Sequence, residues 1–362
     1  MTADPAWTVT TRTRAAAGFA VFAATALVVA FAAPLFVSRG TLQDLFFILT
    51  MLVLAQNWNL LAGYAGLVSV GQQAFVGFGA YAMFAAISLG GLDPMLAVLL
   101  GGVAAAILSV ATGIFVFRLQ GAYFAIGTWV VAEVVRLVLA QWRALGGGTG
   151  TSLPNAAIRD MAAVEWIGDA FGVRSAQAAD ILTYWLALVL VCATIGFIYW
   201  LLRTRQGLGL SAVRDNQEAA RSVGIDARRI KWAVYVAVAF VTGLTGALIY
   251  LQTARISPDA AFSVVDWTAY VIFIVVIGGI GTLEGPIVGV IIFFLLQKSL
   301  ADFGSWYLLV LGLIGIVVML FAPRGLWGLF SDRTGIQFFP VRRILGGGPS
   351  THRTGTRGGP HG

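Results

Sequence analysis

Long apolar runs separated by short polar segments dominate this sequence from residue 16 to residue 322. A helix that crosses a membrane needs about 20 consecutive apolar residues, and ten segments approach or reach that length. Glycines interrupt the third, the eighth and the ninth. The pattern predicts an all-α polytopic integral membrane protein with about ten transmembrane helices. The predicted spans are residues 16–37, 42–62, 68–89, 95–117, 121–141, 181–202, 232–253, 266–281, 286–302 and 305–322.

A long polar segment, residues 142–180, divides the predicted spans into five before it and five after it. Halves with an odd number of spans enter the membrane from opposite sides, so the pattern predicts two inverted halves, a common transporter plan. The first apolar run is longer than the core of a signal peptide, and we expect it to be retained as a span. The predicted units are an N-terminal tail at 1–15, a transmembrane domain at 16–330 and a disordered tail at 331–362.

The charged residues are few and unevenly distributed. Hydrophobic residues make up 59% of the chain and charged residues only 11%, whereas a soluble domain carries about a quarter. With the N-terminus inside, sixteen of the 23 basic residues fall in cytoplasmic segments, five in outside loops and two within spans. Positive residues favour the cytoplasmic side. We therefore predict a multi-pass membrane protein with both termini in the cytoplasm and no nucleic-acid partner.

The segment at 142–180 is predicted to be an external loop. Its glycine run, 146–150, has no Gly-Lys-Ser/Thr ending and follows no strand, so it is not a phosphate-binding loop. We interpret it as a flexible loop, with contact to an external delivery protein as the alternative. Residues 160–172 are predicted to form a short helix at the membrane face.

Residues 203–231 form the longest charged segment between apolar runs, with seven basic and three acidic side chains. We call this segment the basic loop. A helix that begins with Ser211 as N-cap would place small and apolar side chains on one face. Gly224 is a natural helix stop, and Asp226 can cap the next helix. The stripe on that face would consist of Ala212, Asn216, Ala219, Ala220 and Val223.

A glycine-rich block at 63–79 is expected to break its helix, because each glycine weakens a helix by about 1 kcal/mol relative to alanine. Irregular backbone at membrane depth is tolerated where protein or a water-filled cavity satisfies it. Polar side chains here are therefore candidates for the wall of a translocation path. The alternative is that the glycines allow close packing and the amides bond to neighbouring helices. The candidates are Asn57, Asn59, Ser69, Gln72 and Gln73.

A second set of glycines has spacing typical of tight helix contacts. We expect these residues to pack helices, within the chain or against a second membrane subunit, with a gate between the two subunits as the alternative. The set is Gly278, Gly279, Gly281, Gly285 and Gly289.

Candidate chemistry within the predicted spans is sparse. Glu133 and Arg136 share a helical face and are expected to pair. A proton relay would need more titratable groups, and no histidine precedes His352. The chain has no phosphate-binding loop, no metal-ligand spacing, and no arrangement of nucleophile and base. We therefore predict a protein that is not an enzyme and holds no metal or cofactor.

Three blocks resemble a known family. Glu218-Ala219-Ala220, three residues and then Gly224 are similar to the EAA-x-x-x-G loop of ABC-importer permeases. Residues 57–83 and 277–289 resemble the branched-chain amino-acid permeases of the LivM/LivH type. The resemblance extends over residues 41–330.

What the resemblance implies is a permease subunit that moves branched-chain or related neutral amino acids inward by alternating access. The implied partners are a second, similar permease, two ATPase subunits that bind the ATP, an extracytoplasmic binding protein, and membrane lipid. A urea or short-amide permease, a self-sufficient carrier and a membrane enzyme remain alternatives. The residues implied to contact the ATPase are Asp215, Glu218, Ala219, Ala220, Arg221 and Gly224.

Overall fold

Sixteen α-helices and two small β-ribbons make up the described part of the chain. The computed structural model describes residues 8–10, 14–300, 306–334, 338–339 and 344–346. The strands are β1 (Thr8–Thr10), β2 (Thr151–Ser152), β3 (Arg255–Ile256) and β4 (Ile344–Gly346), with β1 antiparallel to β4 and β2 antiparallel to β3. The helices are α1 (Arg14–Ala32), α2 (Arg39–Asn59), α3 (Gln73–Ser88), α4 (Pro94–Val116), α5 (Ala122–Ala140), α6 (Asn155–Arg159), α7 (Ala162–Phe171), α8 (Ser175–Arg203), α9 (Arg205–Asp215), α10 (Gln217–Ser222), α11 (Ala227–Thr253), α12 (Pro258–Ala261), α13 (Tyr270–Gly278), α14 (Gly285–Leu300), α15 (Trp306–Phe321) and α16 (Gly325–Thr334).

Seven helical segments of the described chain are long and apolar enough to cross a membrane, which agrees with an all-α polytopic membrane protein. Three further apolar segments are shorter, because glycine-rich breaks shorten α3 and α14 and the first run is described as apolar only from Phe22 to Leu35. The count of ten crossings and the two inverted halves stay predictions. The seven long segments are Arg39–Tyr64, Pro94–Val116, Ala122–Ala140, Ser175–Arg203, Ala227–Thr253, Pro258–Gly278 and Leu308–Thr334.

The two most buried spans, α2 and α11, form the centre of the bundle. The α11 helix packs against α2, α3, α4 and α8, and α2 also packs against α8, α13 and α14. Glycines allow backbones to touch on α11: a Cβ atom on Gly79 of α3 would overlap the carbonyl of Gly243. A Cβ atom on Gly246 would likewise overlap the carbonyl of Val76. In lipid, such close approach replaces the hydrophobic effect as the main source of helix association.

The segment predicted as an external loop carries its own structure. The predicted short helix is confirmed as α7, whose Val164 and Ile167 are buried and whose Trp166 is exposed. The β2 strand pairs with β3 after α11, with Thr151 opposite Ile256. This pairing holds the segment against the second half of the chain.

The segment predicted as a disordered tail is structured at its described residues. The α16 helix runs on to Thr334, past the predicted boundary at 330. The backbone N–H groups of Phe338 and Phe339 donate to one carboxylate oxygen of Glu284, at 3.0 and 2.9 Å. The β4 strand pairs with β1. The other tail residues, 335–337, 340–343 and 347–362, lie outside the described residues.

Two ion pairs join distant helices and differ in burial. Arg39, at the start of α2, pairs with Asp180 of α8, whose side chain is only 6% exposed. Lys298 of α14 pairs with Asp44 of α2 at 2.9 Å, and these side chains are 67% and 43% exposed. A buried carboxylate that loses its partner remains desolvated and uncompensated, whereas an exposed pair is worth less than about 1 kcal/mol.

Arg39→Gln is therefore expected to destabilise the protein more than Lys298→Gln does. We expect a loss of about 1–3 kcal/mol for Arg39→Gln, because a buried charge keeps its desolvation penalty when its partner is removed. Thermal unfolding of the purified variants in detergent would measure the difference. Equal unfolding temperatures for the two variants would show that groups other than Arg39 compensate the charge of Asp180.

Candidate functional site

The basic loop folds as two short helices rather than the single helix that the sequence predicts. The first, α9, is capped by Thr204 and includes Ser211, whose hydroxyl donates to the Gly207 carbonyl at 3.3 Å. Asn216 has extended backbone (φ −155°, ψ 106°) and separates α9 from α10. Its Oδ1 accepts the N–H groups of Glu218 and Ala219 at 3.1 and 3.0 Å. The prediction that Ser211 is the N-cap is wrong, because the Asn216 amide competes for the backbone and caps a new helix.

The structure confirms the predicted end of the helix, but it does not confirm the predicted stripe. Gly224 has φ +84°, a conformation that favours glycine, and Asp226 Oδ1 accepts the Arg229 N–H at 3.0 Å at the start of α11. Ala220 is buried beside Val213 and Ala227. Val223, predicted on the buried stripe, is 75% exposed because the chain turns at Asn216.

The tip of the basic loop is open to a partner. Among the residues implied to contact an ATPase, Ala220 is buried, and Asp215 is paired with Arg214 at 2.9 Å. The others, together with Val223, form an exposed surface of mixed polarity that we call the α10 tip. The α10 tip consists of Glu218, Ala219, Arg221, Val223 and Gly224.

Two glycine-rich breaks interrupt the bundle and meet each other. The first break, residues 60–72, comprises a π-helical turn (Leu60–Tyr64) and a non-helical stretch before α3. The second break, residues 279–284, separates α13 from α14. A Cβ atom on Gly63 in the first break would lie 2.6 Å from the Gly281 nitrogen in the second. Only glycine at 63 leaves room for this contact.

Asn59 bonds the first break to the second through both ends of its amide. Its Nδ2 donates to the Thr282 carbonyl at 2.8 Å, and its Oδ1 accepts the Gly281 N–H at 2.8 Å. Gln56, one turn earlier on α2, donates to the Leu283 carbonyl at 2.7 Å. The side chain of Asn59 thus supplies hydrogen-bond partners to two peptide groups of the second break that lie outside any helix.

The other polar candidates bond within the bundle. Gln73 Oε1 accepts from Thr268 at 2.5 Å, and Gln72 Nε2 donates to the Leu54 carbonyl and to Thr242, both at 3.3 Å. The Ser69 hydroxyl accepts the Gly71 N–H at 3.2 Å. All these side chains, and Asn57 and Asn59, are at most 3% exposed, so none meets solvent in this conformation. In the described part of the chain, Gln72 Oε1 and Asn57 Nδ2 lack hydrogen-bond partners.

Asn57 does not join the other polar candidates at the breaks. It lies beside an apolar groove of about 870 Å³ between α8 and α11. Because Asn57 and Asn59 are two residues apart on α2, they point in different directions. The structure therefore separates one candidate from the other four.

The second glycine set packs α13 against α14. A Cβ atom on Gly278 would overlap the Gly285 carbonyl, and one on Gly289 would overlap the Ile274 carbonyl. Gly279 and Gly281 have φ +134° and +76°, which the sharp turn of the second break requires. These contacts lie within one chain. The role as a gate between permeases stays a prediction.

Arg214 connects the basic loop to the first break and lies near the second. Its Nη1 donates to the Gly63 carbonyl at 2.8 Å, which is part of the π-helical turn. A Cβ atom on Gly66 would meet Arg214 Cγ at 3.3 Å, and one on Gly281 would lie 3.7 Å from Nη1. In the sequence, Arg214 is only one of the seven basic residues of the basic loop. No sequence signal marks a contact between residues 151 positions apart.

The predicted Glu133–Arg136 pair is present and has a third member. Arg136 Nη2 lies 2.5 Å from Glu133 Oε1, and Nη1 lies 2.6 Å from Asp259 on α12. We call these residues the charged triad. The Asp259 side chain on α12 is 82% exposed. The Glu133 side chain is 45% exposed, and it lies on α5, a helix of which little is buried.

Comparison with known proteins gives a consistent family. The family described as "Branched-chain amino acid transport system / permease component" matches residues 40–322. The permease protein LivM of the high-affinity branched-chain amino acid transport system of Escherichia coli K12 is 29% identical over 317 residues, which cover 84% of this chain and 74% of that protein. Its Salmonella typhimurium counterpart is 29% identical over 311 residues, covering 83% and 73%.

A more distant relative is archaeal. A probable branched-chain amino acid transport permease protein LivM of Methanocaldococcus jannaschii is 24% identical over 225 residues, which cover 58% of this chain and 61% of that protein. No solved structure matches significantly. Because the family match covers well over half of the sequence, including both breaks and the basic loop, the chain belongs to the branched-chain amino acid transport permease family.

Proposed function

We propose that this chain is the membrane-spanning permease subunit of an ATP-driven ABC importer for branched-chain or related neutral amino acids. The observation that carries the proposal is the Arg214–Gly63 hydrogen bond, since it fixes α9, the helix immediately before the exposed α10 tip, to a break inside the membrane bundle. A surface loop that only solvates the protein would have no need of such an attachment. Family membership supports the same function.

The proposed complex contains a second, LivH-like permease, two ABC ATPase subunits and an extracytoplasmic binding protein. The ATPase would contact the α10 tip from the cytoplasm, where both termini would also lie. ATP would be bound by the ATPase subunits, and this chain would need no cofactor of its own. The charged triad is compatible with a second permease. An ionisable group that faces lipid is costly, so the face of α5 that carries the triad meets either protein or water.

In the proposed mechanism, closure of the ATPase dimer pushes on the α10 tip. Arg214 passes that displacement to the carbonyl of Gly63, and Asn59 passes it to the second break. Both breaks then shift together and open the path on alternate sides. Ser69, Gln72 and Gln73 would border the path in the open conformation. Gln72 is the strongest candidate for contact with substrate, because its Oε1 has no hydrogen-bond partner within the described chain.

The other functions considered from the sequence receive less support. The three relatives described above are named for branched-chain amino acids and not for urea or amides. A self-sufficient carrier would give no reason for an exposed α10 tip attached to the breaks. The binding protein is expected to set much of the substrate selectivity.

Co-purification with a charge reversal at the α10 tip tests the proposal. The unaltered chain, purified gently from its native host, should bring two ATPases and a second permease. Glu218→Lys should lower the recovered ATPase about fivefold, because reversing one charge at the rim of an interface costs on the order of 1 kcal/mol. Mass spectrometry of the purified material would quantify the loss.

The matched control is Glu165→Lys, the same reversal at an exposed glutamate of α7, on the segment predicted to be external. It should leave ATPase recovery unchanged. If the chain purified alone and transported amino acids after reconstitution, the importer proposal would fail. If both variants retained the ATPase equally, the α10 tip would not be the surface that contacts the ATPase. The family membership of the chain would be unaffected.

A further inference from the structure

One face of the bundle carries a cavity with an unusual concentration of positive charge. The cavity, about 890 Å³, lies between the basic loop, the turn from α4 to α5, and the first break. We call it the cationic cavity. Its one lining carboxylate, Asp215, is already paired with Arg214. The five cations that line it are Arg118, Arg214, Arg221, Arg228 and Lys231.

Four of these cations have no carboxylate partner among the residues that the structure describes. Within the described chain, neither Arg118, Arg221 nor Arg228 forms an ion pair, and Lys231 donates to the amide oxygen of Gln217 at 2.7 Å. Cations that converge without counter-charge repel each other, and a bound anion would relieve the repulsion. The cavity therefore has the charge of an anion site.

The apolar groove that Asn57 borders adjoins the cationic cavity. Trp232 lines both, Arg228 lines the cavity, and Arg229 lines the groove. The groove follows α11 from Arg229 to Leu244, about 22 Å at 1.5 Å per residue. Its lining is almost wholly apolar, with Asn57, Thr194 and Arg229 as the exceptions. A length of about 22 Å exceeds half of the roughly 30 Å hydrocarbon core and accommodates an acyl chain in one leaflet.

We propose that the cationic cavity and the groove together bind one anionic phospholipid. The phosphodiester headgroup lies among Arg118, Arg228 and Lys231, and one acyl chain lies in the groove between α8 and α11. A basic pocket between membrane helices at the positively charged face suits such headgroups. The bound lipid joins the α4–α5 turn to the basic loop and so stiffens the loop against the membrane.

The test is native mass spectrometry of the purified protein with phosphatidylglycerol, phosphatidylcholine or inorganic phosphate added after delipidation. We expect phosphatidylglycerol to be retained at least tenfold better than phosphatidylcholine, and excess inorganic phosphate not to displace it. Arg118→Gln with Arg228→Gln should lower that retention about tenfold or more, since each basic residue near a headgroup contributes appreciably. Ala233→Trp, which fills the groove, should lower retention of both lipids.

Two matched control variants and a photolabelling experiment distinguish loss of lipid binding from misfolding. Arg205→Gln removes a basic-loop arginine outside the two cavities, and Val130→Trp places an indole on the exposed face of α5. Both should retain lipid normally. A phosphatidylglycerol with a photoreactive acyl chain should label peptides of α8 and α11.

Three results would overturn the proposal. Displacement of the lipid by inorganic phosphate would identify a site for free phosphate. Equal retention in the double variant and in Arg205→Gln would exclude the cationic cavity. Loss of labelling when the second permease assembles would mean that protein, not lipid, occupies the groove.

Discussion

Arg214→Gln is expected to lower amino-acid uptake by about 10- to 100-fold while the ATPase subunits remain bound. The guanidinium donates to the Gly63 carbonyl of the first break at 2.8 Å, and the Arg214 side chain is 36% exposed. A hydrogen bond from a charged donor contributes about 1.5–3 kcal/mol, and each 1.4 kcal/mol corresponds to a factor of ten in an equilibrium. Loss of the bond leaves the α10 tip intact but detached from the membrane breaks.

The measurement is uptake by reconstituted importer, with ATP hydrolysis measured in parallel. We expect hydrolysis to continue with little transport, which is the signature of uncoupling. Arg214→Lys keeps the charge but loses the planar fork, so its uptake should be intermediate. Arg205→Gln, an exposed arginine of the same helix, should transport within about twofold of the unaltered protein, as is usual for surface changes. If Arg214→Gln also transported within twofold, the attachment to Gly63 would not be the coupling route.

The local features of the basic loop were within reach of the sequence, but its shape was not. The helix stop at Gly224 and the cap at Asp226 each depend on one residue and its immediate neighbours, and both are present. The single helix from Ser211 was a wrong prediction, because helix periodicity continues through Asn216 although its amide caps a new helix there. The exposure of Val223 follows from that break.

Contacts between distant segments were beyond sequence reasoning. Spacing of three residues predicts the Glu133–Arg136 pair, but Asp259 is 123 positions from Arg136. Glycine content predicts that the helix near 63 breaks, whereas the contact of this break with the second depends on how α2 packs beside α13 and α14. Asn57 and Asn59 were equivalent in the sequence, and only the fold distinguishes an amide that bonds the second break from one that borders a groove.

The two asparagines are therefore expected to differ in how much each stabilises the protein. Asn59→Leu is expected to destabilise the protein by about 2–4 kcal/mol, because the N–H of Gly281 and the carbonyl of Thr282 both lose their partner, and each unpaired group costs about 1–3 kcal/mol. Asn59→Asp should be at least as damaging, since it places a carboxylate against the Thr282 carbonyl at a fully buried position. Both variants should unfold at lower temperature in detergent and accumulate poorly in the membrane.

Asn57→Leu is the matched control, with the same substitution two residues away on the same helix. Asn57 is 2% exposed, and its Nδ2 has no partner in the described chain, so an apolar side chain of similar volume removes a desolvated amide and leaves no donor orphaned. Its stability should stay within about 1 kcal/mol of the unaltered protein or rise. Equal losses for the two leucine variants would mean that the Asn59 hydrogen bonds to the second break contribute no more than burial alone. A large loss for Asn57→Leu alone would instead locate the essential amide in the groove between α8 and α11, and the two breaks would then have to move independently.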